Sequence, residues 1–151
     1  MDIELPKVLL GTGGWNVEEN GLGDEADFVL GENIKFKFET VHHLNEERLT
    51  VEEFLQRAKG LDRPAGATIG KWLEDHPENI PENMRGKLLM FVSKLAKGGF
   101  KGILGLYYSE YYHPGPDARK SPWTPVIYLL DDKKGLGDFI NKYAVVVCAE
   151  K

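Results

Sequence analysis

Leu88-Leu89-Met90-Phe91-Val92-Ser93-Lys94-Leu95, the turn-forming Lys97-Gly98-Gly99, and Gly102-Ile103-Leu104-Gly105-Leu106-Tyr107-Tyr108-Ser109-Glu110-Tyr111-Tyr112 together decide the fold. Two runs rich in apolar and aromatic residues flank a glycine pair, the pattern of a β-hairpin. A third run, Thr124 to Leu130, follows a loop rich in Pro and Gly, and a fourth extends from Lys142 to Ala149. Asp131 to Asp138 between them is too polar and too glycine-rich for core structure and reads as a loop. Four consecutive strands with short or moderate connections pair most simply as an antiparallel meander.

Upstream, Ile34-Lys35-Phe36-Lys37-Phe38-Glu39 alternates apolar and charged residues strictly. A strand there turns Ile34, Phe36 and Phe38 to the core and Lys35, Lys37 and Glu39 to water. Phe28 to Leu30 and Lys7 to Leu10 read as further short strands. Between the two β regions, Thr50-Val51-Glu52-Glu53 fits a capping box, and Phe54, Leu55, Ala58 and Leu61 recur at helical spacing up to a stop at Gly60. A second helix is expected from Pro64 or Ala65 to Asp75, with Ile69, Trp72 and Leu73 on its apolar side and Asp62 near its first amides. Gly66 and Gly70 weaken it or admit a close neighbour. The reading is one α+β domain over residues 1–151: a β-meander of about four C-terminal strands, with N-terminal strands, packed on two short helices.

Composition narrows function by exclusion. The chain has 151 residues, 42% hydrophobic and 28% charged, with 17 glycines and 8 prolines, which fits an ordinary globule rich in turns. Its net charge of −5 disfavours a general nucleic-acid binder. The one cysteine, Cys148, forms no internal disulfide, and Met1-Asp2-Ile3-Glu4 carries acids where a signal peptide needs bases, so an intracellular, cytoplasmic setting is expected. No apolar run approaches the length of a membrane span.

Charge is unevenly spread. Residues 1–63 hold 14 acids and 7 bases, whereas Asn83 to Ser109 contains Arg85, Lys87, Lys94, Lys97 and Lys101 and no acid. Those cations either decorate exposed strand faces or form a small cationic face for an acidic protein or a phosphate chain.

No motif fixes a chemistry. Gly11-Thr12-Gly13-Gly14 lacks the spacing of a dinucleotide or phosphate loop and reads as a turn. His42, His43, His76 and His113 show no ligand spacing, so neither a metal nor another cofactor is expected; His76 suits contact with the last carbonyls of a helix. Cys148 within Val145-Val146-Val147-Cys148-Ala149 reads as a small core residue.

Chemical character concentrates in residues 106–123. On a strand Tyr107, Ser109 and Tyr111 share one face and Tyr108, Glu110 and Tyr112 the other, so one tyrosine stripe faces away from the core. Pro114, Pro116 and Pro122 stiffen the adjoining loop, which carries His113, Arg119, Lys120 and Trp123. Rigid aromatic surface of this kind suits recognition of another protein. The expected binding set is Tyr108, Glu110, Tyr112, His113, Arg119 and Trp123, with Lys94 and Lys101 from the basic hairpin. The bland alternative leaves these tyrosines as ordinary half-buried strand residues. An alternative function is a small enzyme acting on a sugar, nucleotide or peptide, with His113 and Glu110 as proton-transfer groups. A homodimer through an open sheet edge is also consistent with the pattern.

Overall fold

The computed structural model describes residues 8–9, 15–19, 35–109, 122–130 and 138–150. Its strands are β1 (Val8–Leu9), β2 (Trp15–Glu19), β3 (Lys35–Glu39) and β4 (Arg48–Thr50), followed by helices α1 (Val51–Lys59) and α2 (Ala67–Asp75). After two 3-10 turns at Pro77–Asn79 and Glu82–Met84 come β5 (Leu88–Met90), β6 (Lys94–Lys97), β7 (Phe100–Tyr108), β8 (Trp123–Leu129), β9 (Phe139–Asn141) and β10 (Ala144–Glu150). This is an α+β fold whose main sheet, among the described residues, has 8 strands, with β4 and β9 forming a separate ribbon. The expected strand at Phe28 to Leu30 and the turn at Gly11 to Gly14 lie outside the described residues.

The hairpin forms through Tyr108, with Gly98 and Gly99 at φ 56° and 86° in the turn, a region that glycine enters without a Cβ penalty; Glu110 to Tyr112 of its expected second strand lie outside the described residues. Leu88 to Lys97 is one strand path broken at Phe91-Val92-Ser93, and β5 and β6 both pair with the same edge of β7. β8 pairs with the other edge of β7 along its whole length, Gly102↔Leu129 to Tyr108↔Trp123. The antiparallel meander therefore runs from β6 through β7 to β8. The fourth C-terminal strand then departs from it: β10 lies between β3 and β5, antiparallel to the first and parallel to the second. Its composition explains the position, because Ala144-Val145-Val146-Val147-Cys148-Ala149 is apolar on both faces and only an internal strand covered on both sides buries all six.

Two clusters flank the sheet. Leu89, Phe91, Leu95, Leu104, Leu106, Trp123, Val145 and Val147 pack with Ile69 and Leu73 of α2, joined at the rim by Phe36 and Phe38 as the alternation predicts. Leu88, Met90, Ile103, Ala144, Val146 and Cys148 pack with Phe54, Leu55 and Ala58 of α1 and with Leu49 and Ile140 of the ribbon. The two-residue period of the strands divides the core in this way.

The helices start on different caps. The Thr50 hydroxyl accepts from the Glu53 amide at 3.2 Å, but the Glu53 carboxylate turns to Arg57 at 3.0 Å, so only half of the capping box closes. At α2 the residue before the helix is Gly66, and no side chain of its own segment caps it. The buried Ser93 hydroxyl, carried by the break between β5 and β6, instead accepts from the Ala67 amide at 2.7 Å. Gly70 makes room for the sheet: a Cβ there would stand 2.8 Å from Leu104 Cδ2.

Candidate functional site

The C-terminal end of β7 is where aromatic and cationic side chains meet. Along β7, Leu104 and Leu106 point to α2, which sends Tyr108 to the same side, and Tyr107 emerges on the α1 side, 44% exposed. On that side Tyr128 of β8 lies across Gly105, whose absent Cβ would stand 3.2 Å from the ring. The turn after β9 adds Tyr143, also exposed, and the turn before β5 adds Arg85 and Lys87.

These groups line an open pocket of about 280 Å³ together with Gly86, Leu88, Tyr108 and Asn141. The Arg85 guanidinium sits 4.7 Å over the Tyr108 ring, and that ring is braced edge-on by Trp123 with centroids 5.5 Å apart. Lys87 and Lys142 approach the Tyr143 ring at 6.0 and 5.7 Å. Cation–ring contact of this kind orders a cation while leaving N–H groups available. Asn141 Oδ1 accepts from the Tyr143 amide at 2.9 Å, which leaves its amino group as the end that can face a ligand. Burial, with Asp138 and Tyr107 nearby, raises the Tyr128 pKa above the ordinary phenol value, so its hydroxyl stays protonated at neutral pH. The described lining contains donors and rings and no carboxylate.

The pocket gathers only part of the expected binding set. Tyr108 lines it, half-buried, as the support of Arg85. Trp123 is 2% exposed and belongs to the core, where it steadies Tyr108 rather than presenting a surface of its own. Lys101 and Lys94 lie at the far end of the hairpin; Lys101 is six residue steps along β7 from Tyr107, about 20 Å at strand rise. Glu110, Tyr112, His113 and Arg119 lie outside the described residues. The acid-free stretch is thus split, with Arg85 and Lys87 at the pocket and Lys94, Lys97 and Lys101 on the hairpin.

Tyr107, Tyr128 and Tyr143 are absent from the expected set. The alternation that separates Tyr107 from Tyr108 was visible, but which face opens depends on where β8 and β9 end. Comparison with known protein families, with curated proteins and with solved structures gives no match.

The histidines stand apart from it. His42 donates from Nε2 to the Ile140 carbonyl at 2.9 Å and packs beside Phe54, while the exposed His43 ring lies 3.5 Å from Glu46. His76 contacts the Trp72 carbonyl at 2.9 Å through Nδ1 and stacks on the Trp72 ring, the helix-end role expected of it. Among the described residues no three His, Cys, Asp or Glu side chains converge as metal ligands, and no helix is long and apolar enough to cross a membrane.

Proposed function

We propose that this is a small non-catalytic binding protein that holds an acidic segment of another protein against the pocket of Tyr107, Tyr128 and Tyr143. One observation carries the reading: four phenol rings, Arg85 and Lys87 converge on one open pocket whose described lining holds no acid. Large rings give contact area at low ordering cost, and the two cations select the charge of what is held. A basic patch attracts a partner segment of opposite sign. Pairing of two copies through β8 is disfavoured, because Pro125 stands within that strand and Asp138 occupies the Leu129 amide at 2.7 Å. A buried lone thiol at Cys148 suits the intracellular, cytoplasmic setting in which such a partner is met.

The test compares wild-type protein with the Tyr107→Ala, Tyr143→Ala double variant as bait in cell extract. Both residues are exposed, so the fold survives their removal. The reading expects proteins captured by the wild type to be lost with the variant and released by added salt. Equal recovery of every protein by both baits refutes it.

A further inference from the structure

We infer that the pocket recognises a phosphorylated side chain of the partner, and that the phosphoryl group lies between Arg85 and Lys87. The inference rests on the preceding reading of the pocket as a protein-recognition site and names the group recognised.

The lining decides the chemistry. A carboxylate brings one charge and two oxygens, whereas a phosphate monoester brings about −1.5 to −2 charges and three strong acceptor oxygens at neutral pH. The pocket offers two cations and a surrounding set of neutral donors: the phenol groups of Tyr107, Tyr128 and Tyr143 and the amino group of Asn141. A dianion uses both cations; a single carboxylate leaves one of them unmatched. Neither cation is consumed internally among the described residues. The nearest acid to Arg85 is Glu82 at 3.9 Å, at the limit of an ion pair and 87% exposed, and Lys87 has a ring contact but no described carboxylate partner. The Arg85 guanidinium is held 4.7 Å over the Tyr108 ring, and a guanidinium carries a planar fork of N–H groups able to engage two phosphoryl oxygens at once. The open pocket of about 280 Å³, just below the usual range for ligand sites, has room for one phosphorylated side chain.

Calorimetric or NMR titration tests this with four probes: a short peptide carrying one phosphotyrosine, its phosphoserine counterpart, the same peptide with glutamate at that position, and inorganic phosphate. Wild-type protein is expected to bind at least one phosphopeptide about tenfold more tightly than the glutamate peptide and than inorganic phosphate. Arg85→Ala and Lys87→Ala should each weaken that binding by about tenfold, with Arg85→Lys in between because charge stays and the fork is lost. Equal affinity for the phosphopeptides and the glutamate peptide overturns the phosphoryl inference while leaving acidic-segment recognition standing. Inorganic phosphate binding as tightly as the peptides overturns it in favour of a free-anion site. Binding that both alanine variants retain places the phosphate elsewhere and overturns it as well. Loss of the extract-capture difference between wild type and the tyrosine double variant instead removes the underlying reading.

Discussion

Replacing Ser93 by Ala tests how the two secondary-structure layers are joined. The Ser93 hydroxyl is the partner of the Ala67 amide, both residues are fully buried, and the bond measures 2.7 Å. Water cannot take its place. Removing a cap costs about 0.5–2 kcal/mol, and stranding a buried donor costs about 1–3 kcal/mol. These figures describe the same lost bond and do not add, so we expect about 2 kcal/mol. For a chain of this length that lowers Tm by about 4–8 °C. Thr50→Ala removes the corresponding acceptor at α1, but Thr50 is exposed and water satisfies the Glu53 amide, so the loss there should be nearer 0.5–1 kcal/mol, at about the level of exposed caps. Urea unfolding of both variants gives the comparison, and hydrogen exchange at the Ala67 amide locates it. A Ser93→Ala cost equal to or below that of Thr50→Ala refutes the claim that α2 is held to the sheet by this bond.

Three further outcomes follow from the same geometry. Gly102→Ala places a Cβ 2.7 Å from the Tyr128 carbonyl oxygen and 2.6 Å from Ile127 Cγ2, so it should cost at least 1–3 kcal/mol, the range of about one overpacked methyl; an unchanged denaturation midpoint contradicts this. Arg57 forks onto Glu46 at 2.6 and 3.0 Å and holds its carboxyl down to about 2 from 4.5, helped by the His43 amide. That contribution is complete above pH 4.5 and fades as pH falls towards 2, so Glu46→Gln should flatten the acid limb of stability measured between those values, and an unaltered limb refutes it. Burial, with Glu39 nearby, pushes the Cys148 thiol up to about 11, and the residue is inaccessible, so native protein should resist a thiol reagent at pH 8 until unfolded; rapid labelling contradicts the core assignment.

Local chemistry made much of the fold legible. Strict alternation in Lys35–Glu39 placed Phe36 and Phe38 against the core, Thr50 and Gly60 bounded α1, and Gly98-Gly99 marked the hairpin turn. The neighbours of β10 were not legible, because a strand apolar on both faces announces burial without naming its partners. Nor was the cap on α2: Asp62 was the nearest candidate in sequence, while Ser93 reaches it from 26 residues away. The pocket was half legible. Arg85 and Lys87 stood out in the acid-free stretch, but Tyr128 and Tyr143 join them only through the pairing of β7 with β8 and the turn after β9.

The lane occupied by β10 also orders events during synthesis. Leu88–Met90 and Lys35–Glu39 each present one edge to it, and neither edge is satisfied until Ala144–Glu150 has left the ribosome. A nascent chain halted before Ala144 leaves Leu88–Met90 with one edge unpaired and Lys35–Glu39 without its described sheet partner, so other extended segments can pair there. Stalled or clipped chains of this protein should therefore depend on chaperones more heavily than the finished one does.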